Sequence, residues 1–108
     1  MGAESHKIER LPIKAERVAA VLKERGWENE QAQALFYHWL DMQEERVTRG
    51  EITFFDCIMA TAEVYAAAGM IKSALEALND AADAAVQEND PDGFERVEAQ
   101  MYELTSKE

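Results

Sequence analysis

Cysteine, proline and cationic residues are scarce in this chain, and each scarcity narrows what the protein can be. The single cysteine, Cys57, excludes an intrachain disulfide, so the composition does not favour a disulfide-stapled secreted domain. Two prolines and five glycines in 108 residues leave long uninterrupted segments, which favour helices over a many-turned β fold. No apolar run approaches the roughly 20 residues of a membrane span, and no signal-peptide core is visible. We expect a cytoplasmic protein that does not bind membranes.

The shortage of cations is concentrated in the second half of the chain. Lys and Arg number 11 against 22 Asp and Glu, which gives a net charge of −11. Residues 1–25 carry six cations and four anions, whereas residues 50–108 carry three cations and thirteen anions. Such a surface repels phosphate backbones, so we expect no direct nucleic-acid binding. Two interpretations remain open, a docking surface for a basic partner and a solvated face that only keeps the protein soluble.

Helical periodicity is abundant, and it predicts a single all-helical domain over residues 1–108. Residues 1–11 are expected to form a flexible N-terminus. Pro12, which suits the first turn of a helix because its missing N–H would be unpaired there, opens the first helix. The five predicted helices span residues 12–25, 29–48, 54–68, 70–88 and 91–105.

Local signals support several of these helix starts. Asn29 is a predicted N-cap of the second helix. Thr53 and Asp56 have the spacing of a capping box at the start of the third helix. Asp90 is a predicted N-cap of the fifth helix, with Pro91 at the first helical position.

The third and fourth helices are separated by one glycine, Gly69, and should pack as an antiparallel hairpin. Along the hairpin, large and small residues follow one another in the order Ile58, Ala62, Tyr65, Gly69, Ala74, Leu78 and Ala81. This pattern resembles the tetratricopeptide repeat, a 34-residue helix–turn–helix. Thr61 and Val86 depart from it, where the repeat has Leu and Pro. The fold class expected is an all-α five-helix bundle with a tetratricopeptide-like hairpin.

The resemblance implies a protein-interaction module that binds peptides or partner helices in a concave groove. Such modules usually need three or more repeats for stability. One hairpin is visible here, so the first two helices or a second copy of the chain would have to complete the core.

Residues suited to catalysis are few. His38, Asp41 and Glu45 could share one helical face and hold a metal ion, although an ordinary surface stripe has the same pattern. Cys57 lies in the first turn of the third helix, where the helix dipole can lower a thiol pKa. Packing against Ile52 as a hydrophobic staple would bury it instead. Glycine-rich phosphate loops and nucleophile elbows are absent. We predict no enzyme, no cofactor and no metal site.

Aromatic pairs and an acidic stripe provide the candidate binding residues. Neighbouring helical positions diverge by roughly 100°, so one member of Phe36–Tyr37 and one of Phe54–Phe55 should point outward or towards a partner. Exposed aromatics often mark interfaces, and the fourth helix carries one stripe of acidic residues. The predicted partner-binding residues are Tyr37, Trp39, Phe54, Phe55, Glu76, Asp80 and Asp83.

The function expected is a non-catalytic protein–protein interaction module, such as an adaptor, chaperone or regulatory subunit. Its partner would be another protein, with a basic partner surface and a homodimer as two options. The alternative is an acidic inhibitor or nucleic-acid mimic that blocks a basic site. Salt separates the two, because binding driven by charge weakens with ionic strength more steeply than docking of aromatic side chains.

Overall fold

The computed structural model describes residues 13–106, and these residues form α-helices without any strand. The helices are α1 (Ala15–Arg25), α2 (Glu30–Thr48), α3 (Phe54–Ala67), α4 (Ile71–Gln87) and α5 (Pro91–Ser106). The predicted all-α fold class is confirmed. Pro12 and the predicted flexible segment 1–11 lie outside the described residues. The first helix begins at Ala15 rather than at residue 12, with Lys14 in an extended conformation before it.

The predicted caps of α2 and α3 are confirmed by their hydrogen bonds. The Asn29 Oδ1 accepts a hydrogen bond from the Ala32 N–H at 2.9 Å. At α3 the Thr53 Oγ1 accepts from the Asp56 N–H at 3.0 Å, and the Asp56 Oδ2 accepts from the Thr53 N–H at 3.1 Å. Each bond satisfies a backbone donor that the helix itself cannot pair, so these two helix starts are fixed by local sequence.

The turn between α3 and α4 closes over three residues. Gly69 has φ of +84°, a left-handed conformation that glycine adopts without a steric penalty. The Met70 N–H donates to the Tyr65 carbonyl at 2.8 Å, and the Gly69 N–H donates to the Ala66 carbonyl at 3.0 Å. This pair of bonds is a Schellman motif. It holds α4 directly against α3, as the predicted hairpin requires.

The turn between α4 and α5 repeats this arrangement without glycine. Asn89 takes the left-handed position with φ of +55°. The next residue, Asp90, caps α5 by accepting from the Gly93 N–H at 3.0 Å. Pro91 is the first residue of α5. The predicted start of the fifth helix is therefore confirmed.

The helices pack in the order in which they occur along the chain. Over residues 13–106, α1 contacts α2 and α3, α2 contacts α3, α3 contacts α4 and α5, and α4 contacts α5. Neither α1 nor α2 contacts α4 or α5 in this part of the chain. The Cα atoms span 48 × 33 × 16 Å, so the molecule is a flat slab. The third helix is the element that joins its two ends.

Two separate clusters of buried residues meet at α3. The first lies between α1, α2 and α3, and we call it the aromatic core: Val18, Ala19, Leu22, Ala32, Phe36, Trp39, Val64 and Ala68. The second lies between α3, α4 and α5, and we call it the alanine core: Phe55, Met59, Ala62, Ala74, Leu78, Ala81, Ala84, Ala85, Val97 and Leu104. Tyr65 on α3 is partly buried and packs against both.

Candidate partner-binding groove

A groove runs along α3 between the two helices that flank it. Because α2 and α4 both pack on α3 but do not contact each other, α3 is left open as a floor between two walls. The groove consists of two adjoining hollows of about 320 and 290 Å³, which share Phe54, Ile58 and Asp80. We call this feature the α3 groove.

The floor of the α3 groove is predominantly apolar. Phe54, Ile58, Thr61 and Tyr65 follow one another at steps of four, three and four residues, which places them on one face of α3. Phe54 is 59% exposed, although it is a large aromatic residue. The Thr61 hydroxyl donates to the Cys57 carbonyl at 2.9 Å, so its donor is already used within the helix. The floor thus offers apolar surface and few free hydrogen-bonding groups.

The walls of the groove are acidic. Glu44 lines it from α2, and Glu76, Asp80 and Asp83 line it from α4. Among residues 13–106, none that lines the two hollows is Lys or Arg. These four carboxylates have no ion-pair partner within residues 13–106. The groove therefore presents uncompensated negative charge on both sides of an apolar strip.

The ion pairs in the described part of the chain lie elsewhere. Arg46 and Arg49, at the end of α2, both contact Glu51, at 3.4 and 2.8 Å. Arg49 also lies 3.7 Å from Glu45. These side chains are about half exposed, and pairs of this kind contribute little to stability. They leave the carboxylates of the α3 groove unneutralised.

Carboxylates of the two walls contribute to raising the pKa values of two groove residues, Cys57 and Tyr65. Burial raises the pKa of the Cys57 thiol, and the Glu44 carboxylate raises it further. Burial also raises the pKa of the Tyr65 phenol, with further contributions from Tyr37 and from Glu76. Glu44 acts from α2 and Glu76 from α4, so both walls act electrostatically on groups of the floor.

Four of the seven predicted partner-binding residues meet in this groove: Phe54, Glu76, Asp80 and Asp83. Tyr37 is 50% exposed, and its ring lies edge-on to Trp27, with 5.9 Å between ring centroids. It does not line either hollow, but it lies close enough to Tyr65 to influence that phenol's pKa. Tyr37 therefore lies near the Tyr65 end of the groove rather than inside it.

The remaining two predicted contact residues are corrected by the structure. Trp39 is 2% exposed in the aromatic core, and Phe55 is 4% exposed in the alanine core. Both side chains are buried by packing within one chain, so neither is available to a partner. They therefore do not support the predicted homodimer. The expectation that one member of each aromatic pair faces outward is confirmed, because Tyr37 and Phe54 are the exposed members. The homodimer itself stays a prediction.

The candidates for chemistry do not assemble into a site. Within residues 13–106 no three His, Cys, Asp or Glu side chains lie close enough to hold a metal ion, so His38, Asp41 and Glu45 do not form such a group. Cys57 is 4% exposed, and burial and Glu44 raise its pKa, which disfavours the thiolate that a nucleophilic cysteine needs. Its burial agrees with the staple interpretation.

A larger hollow, of about 470 Å³, lies at the turn between α4 and α5. It is bordered by Val86, Pro91 and Phe94, with Glu95 and Glu98 at its edge. Asp90 borders it as well, and none of the predicted partner-binding residues lines it. The α3 groove is the better candidate because three helices build it and it combines an exposed aromatic residue with charge on both walls.

Several groove residues were not predicted as contact residues from the sequence. Leu40 and Glu44 belong to α2, and only the packing of α2 on α3 brings them opposite α4. Ile58 and Tyr65 were predicted only as large residues of the repeat-like pattern, and both are partly buried. The four–three–four spacing from Phe54 to Tyr65 was the signal that could have found the floor.

Comparison with known proteins adds no relative to this description. No known protein family, curated protein or solved structure matches the chain. No helix formed by residues 13–106 is both long enough and apolar enough to cross a bilayer.

Proposed function

We propose that the protein is a non-catalytic interaction module that binds a partner protein in the α3 groove. The observation that carries the proposal is Phe54, a phenylalanine left 59% exposed on an apolar floor between carboxylates that have no partner within residues 13–106. Exposed aromatic residues are enriched where proteins bind partners, so a binding role accounts for an apolar floor bordered by carboxylates.

The order of helix contacts supports the resemblance to tetratricopeptide repeats as part of this proposal. Contacts join only helices that are one or two places apart along residues 13–106, as expected when successive hairpins stack in a row. Buried Ala62, Ala74 and Ala81 are at most 2% exposed, which lets the α3 and α4 backbones approach closely. In this proposal α1 and α2 complete the stack as a second hairpin, and α5 adds a fifth helix.

An unbiased peptide selection tests the proposal. A displayed random-peptide library is selected on the immobilised full chain, and enriched peptides are measured by fluorescence anisotropy. We expect binding that falls at least about tenfold for Phe54→Ala, because truncation of an interface aromatic removes much of the binding energy. Tyr102→Ala is the matched control, since Tyr102 is 75% exposed on α5 and away from the groove.

The outcomes distinguish the proposal from its rival. Peptides that lose affinity with Phe54→Ala and keep it with Tyr102→Ala support the α3 groove as the binding surface. Enriched peptides that bind both variants equally well contradict it. Binding that disappears at high salt but ignores Phe54→Ala supports a blocker driven by charge alone, the acidic-inhibitor alternative.

A further inference from the structure

The length of the α3 groove, the spacing of the side chains on its floor and the charge of its walls indicate which kind of segment binds in it. Resting on the proposed function, we infer that its occupant is a basic amphipathic helix of about three to four turns from another protein. Apolar side chains of that helix face α3, and its Lys and Arg side chains face the two acidic walls.

The length of the occupant follows from the groove itself. The floor runs from Phe54 to Tyr65, which at 1.5 Å per residue is about 17 Å. The α4 wall runs from Ser73 to Gln87, which is about 21 Å. A helix of about 11 to 14 residues covers this distance.

The spacing of the side chains on the floor favours a helical ligand over an extended one. Floor side chains at steps of four and three residues form a ridge of the kind that fits the grooves of another helix. Helix-in-groove recognition uses the same spacing, with anchors on the ligand at positions i, i+3 or i+4, and i+7. The α2 and α4 walls, which do not touch, lie on either side of that ridge.

The charge of the occupant follows from the walls. Glu44 lies on one side, and Glu76, Asp80 and Asp83 lie on the other, with no Lys or Arg among the lining residues that the structure describes. A ligand with Lys or Arg on both flanks of its apolar stripe would pair with both walls, whereas an acidic ligand would meet like charge along its whole length. A second copy is disfavoured for the same reason, because each chain carries a net charge of −11.

Three designed peptides of about 14 residues serve as probes for the full chain. The first has an apolar stripe at helical spacing flanked by Lys and Arg. The second replaces each Lys and Arg by Glu, and the third is a scramble of the first with the same charge but no apolar stripe. We expect the first to bind at least about tenfold more tightly than either of the others.

Charge-reversed variants locate the binding. Replacing Glu76 and Asp80 by Lys is expected to weaken binding of the first probe by at least about tenfold. The matched control replaces Glu63 and Glu98 by Lys, which changes the net charge equally at exposed mid-helix positions outside the groove. Circular dichroism of each variant checks that the fold is retained, and NMR of isotope-labelled probe reports its bound conformation.

Each outcome decides the inference. Tight, stripe-dependent binding of a helical first probe that only the groove variant weakens supports it. Equal binding of the scramble, equal binding of the acidic probe, equal weakening by both charge variants, or an extended bound conformation overturns it. Concentration-dependent self-association that Phe54→Ala abolishes overturns it in favour of a second copy. If library-selected peptides need Phe54 but the first probe does not bind, the inference falls and the proposed function stands.

Discussion

The two cores of this protein bury similar helices with opposite side-chain strategies. In the aromatic core, the Phe36 ring is 1% exposed and lies 5.3 to 6.1 Å, centroid to centroid, from the rings of Trp27, Tyr37, Trp39 and Tyr65. In the alanine core, five of the ten buried members are alanines. The first core is centred on a group of large rings, although three of its eight buried members are alanines, whereas alanines make up half of the second core.

This difference shows what each end of the molecule tolerates. A core of interlocking rings depends on each ring being present, because the neighbours cannot collapse into a hole of that size. A core of alanines depends on nothing larger being present, because there is no free volume between the backbones. Truncating a side chain should therefore lower the stability most in the aromatic core, and enlarging a side chain should lower it most in the alanine core.

The largest expected effect is loss of the central ring in the aromatic core. Phe36→Ala should lower the free energy of unfolding by about 3 to 5 kcal/mol, since it leaves a cavity among four other rings. Urea denaturation followed by circular dichroism measures this. Phe54→Ala is the matched control, because the same deletion at a 59% exposed site should change stability by less than about 1 kcal/mol. Equal effects at the two positions would contradict the assignment of Phe36 to the core.

The second-largest loss of stability should come from enlarging a side chain in the alanine core. Ala81 is fully buried on α4, so Ala81→Leu should destabilise by about 1 to 3 kcal/mol through overpacking. Ala99→Leu, at an exposed position of α5, should change stability by about 0.5 kcal/mol or less. Thermal denaturation of both variants is the measurement. A neutral Ala81→Leu would mean that α3, α4 and α5 are not closely packed.

Adding a single methyl group at Gly93 tests the packing at the edge of the alanine core. A Cβ added to Gly93 would lie 2.5 Å from the Asp90 Oδ2 and 3.2 Å from the Phe55 Cζ. Gly93→Ala should therefore destabilise by about 1 kcal/mol despite the better helix propensity of alanine, because it disturbs the cap of α5. Asp90→Ala should cost about 1 kcal/mol by itself.

The double variant makes this test specific. With Asp90 already removed, the added methyl group meets one neighbour fewer, so the combined loss should be smaller than the sum of the single losses. Strict additivity in urea denaturation would show that the two residues do not interact.

The smallest effect should come from alkaline pH, through Tyr65, which packs against both cores. Its pKa is raised from the ordinary value of 10.0 by burial first and then by Tyr37 and Glu76. The unfolded chain therefore loses this proton at a lower pH than the folded chain does. The resulting stability is present below about pH 10 and is lost as pH rises through the folded pKa.

Melting temperatures measured between pH 8 and pH 11 check this sign. The wild type should lose more stability over that interval than Tyr65→Phe, which cannot ionise. An identical decline in the two proteins would exclude Tyr65 as the group responsible.

Features governed by a few neighbouring residues could be predicted from the sequence. The Asn29 cap, the Thr53–Asp56 capping box and the Gly69 turn all formed as expected, because each depends on hydrogen bonds within three to five residues. The same holds for the start of α5 at Pro91. The divergence of Phe54 and Phe55 also followed from helix geometry alone.

Features that depend on how helices pack could not be predicted in the same way. Helical spacing showed that one of Phe54 and Phe55 would point outward. Which one does so depends on where α5 packs, because the Arg96 Cζ of that helix lies over the Phe55 ring, 5.5 Å from its centroid. Likewise, Glu44 becomes a groove residue only because α2 and α4 flank α3 from opposite sides. The acidic stripe of α4 was visible in the sequence, and its opposite wall was not.

The way α3 joins the two ends of the slab also has a consequence for how the molecule opens. Because α5 contacts only α3 and α4 within residues 13–106, it can detach while α1, α2 and α3 stay assembled, and α1 can detach while α4 and α5 stay in place. Local unfolding then proceeds from the ends of the slab inward. Amide protons of α3, held by packing on both sides, exchange with solvent last, so the helix that floors the groove is the most persistent part of the fold.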